Sequence, residues 1–212
     1  MFIDGDSILP NSNFITNYVE TLKSNNQVIY GGRIHPKKAE ANRTLRWKYG
    51  KYIEDQSALN RKKNIYKSVL FNNTIIKKTL FNKIKFEENI IQYGHEDTVF
   101  AYKLSVIKAS VLHIDNPVLH GDIDLNYVYL KKTKKALENL NIIYKNHIID
   151  FKFITFLKLF KKVEKIKLNY LLSLFYKLFN KFLTYNLTSK YPSLFVFNLF
   201  RISYFSYINL KK

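Results

Sequence analysis

The sequence predicts an α/β domain over residues 1–147 and a basic, aromatic-rich helical tail over residues 148–212. Three observations carry this. Short apolar runs (Phe2-Ile3, Val28-Ile29-Tyr30 and residues 110–115) stop at Asp, Gly or Asn-Pro, as strands do. Segments with apolar residues at three-and-four spacing separate them, as helices would. The charge pattern then changes: residues 1–149 hold 23 Lys+Arg against 14 Asp+Glu, whereas residues 150–212 hold 12 against 2.

Composition narrows the classes. With 212 residues and 47% apolar content, a substantial core is available and global disorder is excluded. The absence of cysteine rules out disulfides, thiolate metal sites and cysteine nucleophiles, and fits a reducing compartment. Met1 is followed directly by Phe2-Ile3-Asp4-Gly5-Asp6, so no secretory leader is expected. The net charge of +19, concentrated in the tail, points to an anionic partner such as lipid head groups or nucleic acid. Nucleic acid ranks last, because no motif for reading it is present.

Phe2-Ile3 is expected to be a buried strand that delivers Asp4 and Asp6 at its end, where ligands of open α/β sheets bind. Carboxylates at i and i+2 suit Mg²⁺ or Mn²⁺ with attached phosphates, although Asp-Gly-Asp is also common turn chemistry. A helix is expected over residues 11–23 and a strand over 28–30, ended by Gly31-Gly32, a turn or a point of close backbone approach. In Leu45-Arg46-Trp47-Lys48-Tyr49-Gly50, aromatics alternate with cations. Trp47 fits a sugar-stacking role, and equally a helix that packs Leu45, Trp47 and Tyr49 inward. Residues 61–67 read as a mobile loop, 68–71 as a strand and 74–82 as a helix.

The chain's most informative stretch is Tyr93-Gly94-His95-Glu96-Asp97-Thr98. Gly94 permits a tight turn. Glu96 and Asp97 then fall in the first turn of a helix, where free N–H groups stabilise negative charge. Such a carboxylate suits a general base; helix capping alone also explains it. His120-Gly121-Asp122 is expected to be a loop whose histidine reaches a metal or is simply polar surface. Residues 125–143 read as an amphipathic helix with a basic face. In the tail, apolar residues at helical spacing interleave with lysines. This predicts helices lying on an anionic membrane surface, against a competing reading of helices packed on the domain or on a partner.

Asp4-Gly5-Asp6, Gly94-His95-Glu96-Asp97 and His120-Gly121-Asp122, in that order, resemble the family-2 glycosyltransferases of bacteria, which have the Rossmann-like GT-A fold. Residues 93–104 are similar to the C-terminal motif of galactosyltransferase-type enzymes, and Ile84-Lys85-Phe86-Glu87-Glu88 and Asn116-Pro117-Val118-Leu119-His120 add to the likeness over residues 1–147. The resemblance implies a hexosyltransferase-type enzyme using a nucleotide-sugar donor and a glycan or lipid-linked acceptor. It would act in surface-polysaccharide synthesis, cytoplasmic or peripheral on the inner membrane face. It also implies roles: Asp4 and Asp6 hold Mn²⁺ or Mg²⁺ and the donor diphosphate, His120 completes the metal site, Asp97 is the catalytic base, and Glu96 binds acceptor hydroxyls. In the family about a hundred residues, forming the nucleotide-binding half, precede the D-x-D. Here it begins at residue 4, so an incomplete GT-A domain is expected, with that half supplied by another chain or lost. The alternative is a non-catalytic remnant or a basic, partner-dependent binding module.

Overall fold

The computed structural model describes residues 1–87 and 93–211; Glu88, part of one family-like segment, lies outside the described residues. The architecture is mixed α/β and divides into two compact units. The first comprises Met1–Lys38, Tyr49–Glu87 and Glu96–Ile123.

Its main sheet contains β1 (Phe2–Ile3), β3 (Val28–Tyr30), β5 (Asn73–Ile76) and β6 (Val111–His113), in the order β1-β5-β3-β6. β3 runs parallel to β6 and antiparallel to β5. Alternation along the strands feeds two faces. Val28, Ile76 and Val111 pack with Leu80 of α4 (Lys78–Ile84) and with Phe100 and Leu104 of α5 (Glu96–Val106). Ile29 packs with Val118 and with Phe14 and Tyr18 of α1 (Phe14–Thr21). Phe2, Phe71, Phe81, Phe86 and Phe100 form a cluster with ring centroids 4.5 to 6.4 Å apart.

A second sheet joins β2 (Ser7–Ile8), β7 (Val118–His120) and β4 (Arg33–Ile34), in the order β2-β7-β4. Gly31-Gly32 carries the chain from β3 to β4. Both expectations for this pair hold: Gly32 turns with φ +91°, and Gly31 is a close approach, since a Cβ there would lie 2.4 Å from the Asn116 carbonyl oxygen. A buried amide network closes around it. The Asn73 Nδ2 donates to the carbonyls of Gly32 and Asn116, both at 2.8 Å, and the Tyr18 hydroxyl donates to Asn73 Oδ1 at 2.6 Å.

Several expectations are corrected. Phe2-Ile3 is not a buried strand: β1 lies at the sheet edge among the described residues, Phe2 is half-buried and Ile3 is 39% exposed. The strand expected over 68–71 sits at Asn73–Ile76 and the helix expected over 74–82 at Lys78–Ile84, because the network around Asn73 and the β-branched Thr74-Ile75-Ile76 set the register. Arg61 is not in a mobile loop; it lies on α3 (Ala58–Lys62) and is buried. His120 is not in a loop but ends strand β7.

The second unit comprises Ala39–Lys48, Glu88–His95 and Asp124–Lys212. The helix expected within residues 1–147, α6 (Asn126–Lys145), groups here with the tail helices α7 (Thr155–Lys165), α8 (Leu168–Thr188) and α9 (Leu194–Leu210). Its core takes Leu137, Leu140 and Ile143 from α6, Leu157 and Phe160 from α7, Leu183 and Leu187 from α8, and Phe197, Phe200 and Phe205 from α9. α2 (Thr44–Tyr49) buries Leu45, whose N–H donates to Asn126 Oδ1 at 2.8 Å. Among the described residues no helix is long and apolar enough to cross a membrane.

Candidate active site

The first unit gathers Asp4, Asp6, Glu96, Asp97 and His120. Asp4 follows β1, and its carbonyl accepts from Ser7 N–H at 3.0 Å, so a turn carries the chain from Asp4 into β2. β2 pairs antiparallel with β7 so that Ser7 faces His120. This register sets the His120 ring beside Asp6, with Nδ1 3.5 Å from Oδ2. β4 runs parallel to β7, with Ile34 opposite Leu119. His35, one residue on, therefore meets His120, and the two rings lie edge-to-face at 5.4 Å.

His35 is buried and held. Its Nδ1 lies 2.6 Å from Asp55 Oδ1, and its backbone N–H donates to Asp55 Oδ2 at 3.2 Å. Burial alone would raise the Asp55 pKa, yet hydrogen bonds from His35 and Lys51 bring it below the ordinary carboxylate value. Gly50, opening a π-helical turn (Gly50–Glu54), makes room for the ring: a Cβ there would lie 2.3 Å from His35 Nε2. Asp55, His35, His120 and Asp6 thus form a continuous row that orients the histidine nearest the D-x-D.

Asp97 occupies the first turn of α5, as the sequence led us to expect, with Glu96 exposed beside it. Its Oδ2 accepts from Phe71 N–H at 3.3 Å. Burial pushes its pKa up to about 6, and the charges of Glu96 and Asp4 push the same way. Asp4 is raised too, by burial first and then by the Asp6 charge. Arg33 lowers both Asp97 and Asp4, so it sits within electrostatic reach of each carboxylate; it is paired with Glu54 at 2.7 Å.

Arg33 and Glu54 also line a cavity of about 240 Å³, together with Tyr30, Arg61, Ser68 and Leu70. Burial raises the Tyr30 hydroxyl to about 12, so it stays a protonated hydrogen-bond donor. Arg33, His35, Glu54 and Asp55 escaped the sequence reading. The available signal was an Arg and a His directly after the Gly31-Gly32 pair that ends a strand.

The carboxylate pair and His120 provide oxygen and nitrogen donors that fit a divalent cation. Among the described residues no three His, Asp or Glu side chains converge as a ready cage. Asp6 and His120, 3.5 Å apart, are the donors that the fold brings together, with Asp4 on the same turn. Trp47 belongs to the second unit, half-buried on α2 between buried Arg46, stacked 5.3 Å over the Tyr129 ring, and Lys48, which donates to the Pro192 carbonyl at 2.8 Å. Gly94, with φ +94°, and His95, with φ +75°, also fall in that unit; burial lowers the His95 pKa to about 4, and Arg201 adds to this.

No protein-family model, no curated protein and no solved structure matches the chain.

Proposed function

We propose that the first unit forms the reaction face of a metal-dependent, inverting glycosyltransferase of the family-2, GT-A type. It would transfer a sugar from a nucleotide-sugar donor to a hydroxyl of a glycan or lipid-linked acceptor in bacterial surface-polysaccharide synthesis. The observation that carries this reading is the pairing of a half-buried carboxylate of raised pKa, Asp97, with the Asp4, Asp6 and His120 donor set in the same unit.

Asp97 acts as general base. Its pKa of about 6 leaves it ionised at neutral pH yet basic enough to accept a hydroxyl proton. The acceptor oxygen attacks the anomeric carbon as the bond from that carbon to the diphosphate oxygen breaks. One displacement inverts the configuration, the proton stays on Asp97, and the diphosphate leaves with the bonding pair. Asp4, Asp6 and His120 would hold a divalent cation, which supplies charge neutralisation for the departing diphosphate. Glu96, exposed beside the base, orients acceptor hydroxyls, and the cavity beside Arg33 and Glu54 has the mixed polarity to bind an acceptor sugar.

A partner-dependent form of this reading has its own observation: β1 is an edge strand, paired only with β5 among the described residues, with Ile3 exposed. Such an edge accepts a further strand from another polypeptide. The reading is tested by incubating the purified protein with a panel of uridine, guanosine and thymidine diphosphate sugars and following nucleoside diphosphate release. Release with Mn²⁺ or Mg²⁺, abolished by EDTA and restored by the metal, is expected with at least one donor. Release insensitive to EDTA contradicts the metal-dependent mechanism.

A further inference from the structure

The tail helices do not share one environment. α9 places Phe197, Phe200, Tyr204 and Phe205 inside the second unit, and α7 turns Leu157, Phe160 and Val163 inward with lysines outward. α8 is apolar on two opposite faces. One buries Tyr176, Leu183 and Leu187. The other carries Leu171, Leu174, Leu178, Phe182 and Tyr185, each more than half exposed and up to 79%. Their spacing of three and four residues makes them one continuous stripe along the helix.

We propose that this outer stripe of α8 is the surface by which the protein lies on an anionic lipid bilayer. Charge argues for that occupant. Exposed Lys177 and Lys181 border the stripe on α8 itself, and exposed Lys158, Lys162, Lys165 and Lys167 precede it on α7 and the α7–α8 junction. Residues 150–212 carry 12 basic against 2 acidic side chains. Apolar side chains flanked by lysines match acyl chains beneath anionic head groups. The same charge opposes a second copy of the chain, which would bring two such basic surfaces together. Insertion is shallow, because no described helix is long and apolar enough to cross. The lipid-facing part of the tail is thus one face of one helix, with α7 and α9 packed against α8 as its support.

The test is flotation of the full chain with vesicles of phosphatidylcholine, with or without 30% (about one lipid in three) phosphatidylglycerol as the anionic lipid. Wild type is expected to float with the anionic vesicles and about tenfold less with neutral ones or in high salt. The exposed-site variant Leu178→Glu/Phe182→Glu is expected to lose about tenfold or more of that binding with an unchanged circular dichroism spectrum. Lys177→Glu/Lys181→Glu is expected to weaken it in anionic vesicles alone. Equal binding of the Leu178→Glu/Phe182→Glu variant and wild type overturns the proposal, as does failure of wild type to bind anionic vesicles. A wild-type dimer that this variant converts to monomer, without vesicle binding, assigns the stripe to a second copy and overturns it as well.

Discussion

Replacing Asp97 with Asn is expected to lower sugar transfer by roughly 10²- to 10⁴-fold, the span of a lost general base. Asn keeps the shape of the side chain and an oxygen able to accept from Phe71 N–H. What it loses is the capacity to take a proton. The wild-type rate should rise with pH through about 6, where Asp97 ionises, and level off above. The variant's residual rate should lack that limb. Stability should move in the opposite direction. The folded pKa lies above the ordinary 3.8, so the folded state binds the proton more tightly than the unfolded chain. That contribution is complete below about pH 4 and lost as pH rises through about 6. At neutral pH the wild type therefore carries a cost that Asn removes. The variant should be more stable at pH 7.5, on the order of 1 kcal/mol after allowance for partial solvent screening, and the gap should close near pH 4. Denaturant titrations of both proteins at the two pH values check this.

Arg61→Ala is expected to destabilise the first unit by about 2–4 kcal/mol, because buried backbone carbonyls lose a charged donor. The guanidinium is buried and donates to three backbone carbonyls: Gln56, Gly31 at 3.3 Å and Ile114 at 2.6 Å. It also lies 5.2 Å over the Tyr30 ring, and its Nε faces His113 Nδ1 at 3.4 Å. Truncation removes the charged donor from the Gln56 and Ile114 carbonyls, leaves Gly31 with only its bond from Asn116 N–H, and opens the wall of the cavity. Lysine offers one point charge in place of the planar fork and should recover only part of the loss. Urea unfolding of wild type, Arg61→Ala and Arg61→Lys gives the ranking. An alanine variant as stable as wild type would show that the network is ornamental.

What could be read in the sequence was local. Val28–Tyr30 and Val111–His113 announced themselves as short apolar runs, and the acidic first turn of α5 needed only Gly94 and two adjacent carboxylates. What escaped depends on distant partners. Asn73 and Thr74 are polar yet fully buried, because Tyr18, Gly32 and Asn116 satisfy the Asn73 amide and the Leu70 carbonyl accepts from Thr74, so an apolar count placed the strand too early. Arg61 reads as a surface cation until three carbonyls are seen to converge on it. The approach of His120 to Asp6, and of His35 to His120, follows from the register of two-residue strands β2 and β4 on β7, which carry almost no periodic signal. In the tail the three-and-four spacing was legible, but which face of α8 stays outside is decided by α9.

The most direct test of the central claim is calorimetric titration of uridine and guanosine diphosphate into the wild-type protein and Asp6→Ala, each with Mn²⁺ and with EDTA. The account predicts binding by wild type that requires the metal, weakened at least tenfold in Asp6→Ala. Binding equal in the two proteins and indifferent to EDTA would contradict it, because the D-x-D turn and His120 would then hold neither the cation nor the diphosphate.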